Sequence, residues 1–548
     1  MNTRARPYHC DSPTLLRGCI LLWLLLWVSL ALLNSAIEDA WADADPLLPG
    51  KLAQYVASLD GTLGKEAVLS VYVAEAESGK EVFAHAGRQP VVPASTLKIV
   101  TTVAALRLLG AEYRFPTEVF ADHLPSETDQ RLDASVGLTA EPDGPKRVGK
   151  GIAAGNLYIR GYGDPSLVNE RLLGLAEKLQ NRGIAAVEHI VVDNGLFVNP
   201  PAATGPRPYQ AALSAVALNY NCYQISIAPL GSGLSAVTEL TAGVPYTLHN
   251  LVKSRKGVKQ NVSVIQIPTS EGFNPAVRGR AFQALYELPD DPVRVTVKGS
   301  IGTGAPPIEY YHTVRNPVEY FGTVFRHYLE VSGIEVRGRV LQGETPAGSK
   351  LVALDESEPL SEILVDLNHY SSNFLAGQIL YALGQDKLGY FRQDLGLERL
   401  AQVLLDLGYQ PTDFQFYDAS GLDSRNRTTT EQLVKVLVDG YRDFSIAPDL
   451  IASLSRFGRT GTLEKRKLLS PRPARAASGQ LYREERRRAD SVWAKTGTID
   501  SVSSLAGFLE SRTGDRLAFA IIINGGVPKE KSKEVEEQLV RLLIDVAA

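Results

Sequence analysis

Pro93 to Gly110 reads PASTLKIVTTVAALRLLG, and the rest of the chain is read from this stretch outward. Leu97, Val100, Val103, Ala104, Leu106 and Leu108 follow Pro93 at a density that predicts a buried helix closed by Gly110. Ser95 then falls in the first turn, and Lys98 lies one turn on, on the same face. A serine hydroxyl is a weak nucleophile at neutral pH. A lysine activates it only where burial and nearby positive charge lower the amine's pKa. The start of a helix would also favour negative charge developing beside Ser95. Alone, S-x-x-K is a short pattern, and a serine near a helix start is commonly a cap. Two clusters downstream, Ser371-Ser372-Asn373 and Lys495-Thr496-Gly497, give it weight.

At 548 residues the chain is too long for one compact core, so two or three domains are expected. Its 44% hydrophobic and 22% charged residues are those of a globular protein, and a net charge of -4 gives no bulk reason for nucleic-acid binding. Arg4, Arg6 and Arg17 precede an apolar run from Cys19 to Leu33, the pattern of an export signal, with cleavage predicted after Ala42 in Ala40-Trp41-Ala42. Left uncleaved, the run would anchor the chain in a membrane. Cys222 would then be the lone cysteine of the mature chain, read as a small buried apolar residue. Neither H-E-x-x-H nor clustered histidines occur, so no metal or cofactor is expected.

Taken in order, Leu52 to Leu63 predicts a short helix, and Ala67 to Glu75 with Glu81 to His85 predicts a hairpin turning at Glu77-Ser78-Gly79-Lys80. From Tyr113 to Glu356 the texture changes to short strands broken by Gly and Pro, such as 156–161, 190–192, 263–267 and 293–297. Helices are expected over 360–367, 373–383, 395–407 and 430–441. Three strands follow over 491–498, 503–510 and 517–524, then a terminal helix over 532–546. The basic segment Ser470 to Arg488 reads as a surface loop, with contact to an anionic cell-wall polymer as a second reading. The expected architecture is α+β: a five-stranded antiparallel sheet from two early and three late strands. The first and last helices would cover one face and a helical cluster the other. Residues 1–42 would be the signal, 43–112 with 357–548 a discontinuous peptidase domain, and 113–356 a mostly β insertion.

Ser95-Thr96-Leu97-Lys98, Ser371-Ser372-Asn373 and Lys495-Thr496-Gly497 stand in the order and types of the S-x-x-K, S-x-N and K-T-G boxes, and the chain resembles penicillin-binding proteins and serine β-lactamases. Singly, the second box could simply open a helix and the third could be a turn before a strand. About half of the chain separates Ser95 from Ser371, which is similar to the D-alanyl-D-alanine carboxypeptidase/endopeptidase family, the class C low-molecular-mass penicillin-binding proteins. Further stretches resemble that family: Gly163-Asp164-Pro165, Asn219-Tyr220-Asn221, Asp418-Ala419-Ser420-Gly421-Leu422, and Gly461-Thr462-Leu463 with Arg466. No E-x-x-L-N follows the second box, unlike a class A β-lactamase. Tyr370 and Gly377 stand where many relatives carry a lysine and an acid.

The resemblance implies a transpeptidase-like fold and an acyl-enzyme peptidase acting on peptidoglycan stem peptides, inhibited by β-lactams. Ser95 would be the nucleophile, Lys98 its base, Ser371 a relay between the lysines, Asn373 a holder of Lys98 and substrate, and Lys495 the source of positive potential. Thr496 and Thr498 would bind the terminal carboxylate, and Gly497 would leave room for substrate along the strand. Asp418 and Ser420 would shape the site or touch substrate. A β-lactamase or esterase on the same scaffold, or a non-catalytic peptidoglycan-binding protein, are the alternatives.

Overall fold

Apolar residues that alternate between two faces build the central sheet. Strands β1 (Val68–Glu75), β2 (Glu81–His85), β3 (Ser455–Arg456), β4 (Val492–Ile499), β5 (Val502–Glu510) and β6 (Arg516–Asn524) lie in the order β2-β1-β6-β5-β4-β3, every neighbouring pair antiparallel. The computed structural model describes residues 47–59, 61–123, 152–243, 246–267, 286–287, 293–468 and 491–545. The predicted signal with its cleavage site and the basic segment 470–488 lie outside the described residues.

Along β6, Phe519, Ile521 and Ile523 point to one face, against α1 (Leu47–Leu59) and the terminal helix Lys529–Asp545 through Leu52, Val535 and Leu539. Ala518, Ala520 and Ile522 point to the other, where α2 (Lys98–Leu108), α3 (Leu360–His369), α4 (Asn373–Leu383), α5 (Gln393–Asp406) and α6 (Thr430–Arg442) gather. The alanines on this face let the helices approach closely. The sheet has six strands rather than the expected five. The sixth, β3, is a two-residue edge that pairs only with Trp493 and Ala494, too short to show as a period in the sequence.

The block between the first two boxes carries its own mixed sheet, ordered Tyr286–Glu287, Val340–Gln342, Ile190–Asp193, Leu157–Gly161, Pro116–Ala121, Lys350–Glu356. Two helices, Asn169–Asn181 and Pro317–Val331, share its core through Leu172, Leu175, Leu179, Phe321, Val324 and Phe325. They depart from the mostly β texture expected there. Their apolar residues do recur at helical spacing, but the frequent Gly and Pro around them read as strand breaks. Cys222 is buried in this block, and burial pushes its thiol up to about 12.

The block docks on α4. A Cβ on Gly377 would lie 2.6 Å from Leu213 Cδ1, so the approach of the block leaves little room for a side chain at this position.

Candidate active site

Ser95 sits in a 3-10 turn, Ala94–Leu97, and Lys98 opens α2 directly after it. This differs from the expected first α-helical turn, yet it serves the same end, because side chains three apart eclipse in a 3-10 turn. Lys98 Nζ lies 3.0 Å from Ser95 Oγ.

The turn is gripped from two sides. Ala94 before the serine takes a left-handed φ of 48°, a conformation that costs an L-residue about 1–2 kcal/mol. A Cβ on Gly421, itself at φ 78°, would stand 1.8 Å from the Ala94 carbonyl oxygen. A Cβ on Gly497 would stand 2.7 Å from Ser95 N and 2.3 Å from Ser504 Oγ. The third-box glycine thus lets β4 press on the turn, a different reason for its small size from room for a ligand. Ser504 Oγ and Thr96 Oγ1 both donate to the Pro93 carbonyl, at 2.8 and 2.6 Å, and fix the approach.

Lys98 is fully buried, with its Nζ 2.8 Å from Asn373 Oδ1 and 2.7 Å from the Ser420 carbonyl. Both of those partners only accept. A neutral amine has two N–H groups and one lone pair, so this set leaves the lone pair facing the Ser95 hydroxyl. Burial lowers the Lys98 pKa to about 7, opposed by the charge of Asp418.

Lys495, on β4, is also fully buried, and burial followed by repulsion from Lys98 holds it well below the usual lysine value. It donates to Ser371 Oγ at 2.9 Å and to the Thr496 carbonyl at 2.7 Å. The Ser371 hydroxyl therefore bonds Lys495, while Asn373 bonds Lys98; the second box meets the two lysines through separate residues. Ser371 has a φ of 55°, while Ser372 caps α4 by accepting from Leu375 N at 3.2 Å. The helix-opening role that the second box could have had alone belongs to Ser372.

Asp418 and Ser420 turn inward. The Asp418 carboxylate accepts from the N–H groups of Ser420 (2.8 Å), Gly421 (2.6 Å) and Asp423 (2.7 Å), and Asn426 Nδ2 donates to it at 3.3 Å. This is an Asx-type network that presents the Ser420 carbonyl to Lys98.

On β4, Thr496 Oγ1 donates to Thr462 Oγ1 at 2.7 Å, and Thr498 is exposed. Because β3 covers only Trp493 and Ala494, the outer edge of β4 from Lys495 to Ile499 has no strand partner among the described residues. Such an edge can accept an extended peptide. Across the cleft, Tyr220 of the inserted block reaches α4 with its ring 6.1 Å from Phe374, and Tyr370 is 75% exposed beside the second box. Asn219, Tyr220 and Asn221 all have positive φ, and Asn219 Nδ2 donates to Asn169 Oδ1 and Tyr320 Oη to hold them there. Neither Thr462 nor Tyr220 stands out by residue type; each is one member of a stretch resembling the family.

Comparison with known proteins gives a consistent picture. The model of the D-Ala-D-Ala carboxypeptidase 3 (S13) family matches residues 50–143 and 128–546. The D-alanyl-D-alanine carboxypeptidase of Actinomadura sp. (strain R39) is 28% identical over 508 residues, covering 89% of this chain and 84% of that protein. The D-alanyl-D-alanine carboxypeptidase DacB of Haemophilus influenzae is 23% identical over 453 residues, covering 79% and 80%. In structure the chain is similar to penicillin binding protein 4 (dacB) from Haemophilus influenzae, with a TM-score of 0.66 at 21% identity, covering 89% of this chain and 97% of that one.

Proposed function

This chain belongs to the D-Ala-D-Ala carboxypeptidase 3 (S13) family, and we propose that it cleaves peptidoglycan stem peptides after export, through an acyl-enzyme on Ser95. The observation that carries the reading is the bonding of Lys98: two obligate acceptors take its N–H groups and leave its lone pair to Ser95.

Lys98 takes the Ser95 proton as Oγ attacks the carbonyl between two D-alanines. The backbone N–H groups of Ser95 and Thr498 receive the oxyanion, a contribution of about 3–4 kcal/mol per donor. Asn373, whose Oδ1 is engaged by Lys98, keeps its Nδ2 for a substrate carbonyl. Collapse of the tetrahedral intermediate breaks the C–N bond, and the proton that Lys98 took from Ser95 passes by way of the Ser371 hydroxyl, which Lys495 orients, to the leaving amine. Lys495, Thr496 and Thr498 hold the terminal carboxylate, and the peptide lies along the open edge of β4. Water then attacks the ester and frees Ser95. A β-lactam presents its strained amide carbonyl, beside a carboxylate, in the place of the peptide's, and opening of its ring C–N bond acylates the same serine.

Cross-linked and monomeric stems offer the same bond with different groups beyond it. The test is incubation of the purified mature protein with a D-Ala-D-Ala pentapeptide and with a cross-linked dimer. The expected result is release of D-alanine from the first and of two monomers from the second, both lost in Ser95→Ala. Equal turnover by Ser95→Ala contradicts the assignment.

A further inference from the structure

Away from the nucleophile, the seam between the inserted block and the peptidase helices opens into a cleft of about 460 Å³. Beneath it Tyr381 of α4 is fully buried, its ring stacked on Phe197 at 4.3 Å and 11° and its hydroxyl donating to the Val198 and Asn199 carbonyls at 3.3 and 3.2 Å. Its walls include Leu397 and Tyr390, the latter 42% exposed. The stacked pair forms a rigid base, and Tyr390 is the aromatic ring of the lining that stands open to solvent.

The charges around the cleft are already engaged. Arg392 is paired with Asp394, and Asp386 accepts from the N–H groups of Leu388 and Tyr390 at 2.9 and 3.0 Å. What remains open is neutral: the side-chain amides of Asn199 and Gln393, which form no hydrogen bond within the described residues, and the Tyr390 phenol. An anion would find no unpaired cation here. A sugar fits the set, since its C–H face packs on an aromatic ring while hydroxyl and acetamido groups both donate and accept, as side-chain amides do.

Position relates the cleft to the site. Asn373, Gly377 and Tyr381 follow one another at i, i+4 and i+8 on α4, along the side where the inserted block docks. At a rise of about 1.5 Å per residue, Tyr381 lies about 12 Å along the helix from Asn373. A stem of about three to four extended residues spans about 10–14 Å, the length needed between a sugar held at one end and a scissile bond at the other.

We propose that this cleft binds the N-acetylated glycan strand of the wall polymer while one of its stem peptides enters the active site; the proposal rests on the peptidase reading above. The test measures binding of the catalytically dead Ser95→Ala protein to peptide-free wall glycan and to an N-acetylglucosamine tetramer. It also measures turnover by otherwise wild-type protein of intact wall and of a soluble pentapeptide. Tyr390→Ala and Gln393→Ala are expected to weaken glycan binding at least tenfold and to slow digestion of intact wall, with pentapeptide turnover and penicillin acylation unchanged. No glycan binding by the Ser95→Ala protein, or unchanged binding after both substitutions, overturns the cleft assignment. Absence of pentapeptide turnover by the wild-type protein would instead count against the peptidase reading, so the two failures are distinguishable.

Discussion

Gly497 and Ser95 meet at a distance that no side chain would tolerate: a Cβ on the glycine would lie 2.7 Å from the serine's backbone nitrogen. The edge strand and the Ser95 turn are therefore one rigid unit, and geometry at the serine depends on a residue 402 positions away in the chain. Gly497→Ala is expected to displace the turn while sparing the fold. A shift of about 1 Å at a reacting centre costs on the order of 100-fold in rate. The second-order rate of penicillin acylation reads this directly; a loss of less than threefold would contradict it.

The Lys98 amine acts as a base only when neutral. With its pKa lowered to about 7, acylation should rise with pH through about 7 and level off above it. Asp418 is the charge that favours the protonated form, so removing it lowers the Lys98 pKa further. Asp418→Asn keeps an oxygen for the loop's N–H groups and is expected to move the acid limb of the pH profile to lower pH. A shift to higher pH would contradict the electrostatics.

Thr462 positions Thr496 through their hydroxyl contact at 2.7 Å. Thr462→Val removes that partner at nearly constant volume, and a neutral hydrogen bond contributes about 1 kcal/mol. The expectation is a KM for a D-Ala-D-Ala peptide raised roughly fivefold, with kcat little changed. Steady-state kinetics that instead show a fall in kcat alone would move Thr462 from carboxylate binding to the chemical step.

Behind the sheet, Arg466 pairs with Glu536 at 2.7 Å, the two side chains 10% and 1% exposed, and Ser503 Oγ also donates to Glu536 at 2.6 Å. Removing the arginine strands a buried carboxylate. Arg466→Ala is therefore expected to destabilise the protein by about 3–5 kcal/mol in denaturant unfolding. The loss should shrink when Glu536→Gln is added, because the stranded charge is then gone.

The parts of this molecule legible in its sequence are those set by nearby residues. The bounds of α4 follow from a capping serine at 372 and a glycine at 384, and the adjacency of Ser95 and Lys98 follows from a separation of three. The two faces of β6 follow from strict alternation. What the sequence hid depends on distant segments. The left-handed Ala94 makes sense only with Gly421 against its carbonyl, and Gly377 only with Leu213 beside it. The division of labour at the second box, Ser371 to one lysine and Asn373 to the other, has no local signature. The helices Asn169–Asn181 and Pro317–Val331 were obscured by the Gly- and Pro-rich segments around them.

The central claim, that a neutral Lys98 activates Ser95, is tested most directly by mass spectrometry of the protein after brief exposure to penicillin at pH 8. The account predicts one covalent adduct, mapping to the peptide that contains Ser95 and absent from both Ser95→Ala and Lys98→Ala. An adduct on Ser371, or undiminished labelling of Lys98→Ala, would contradict it.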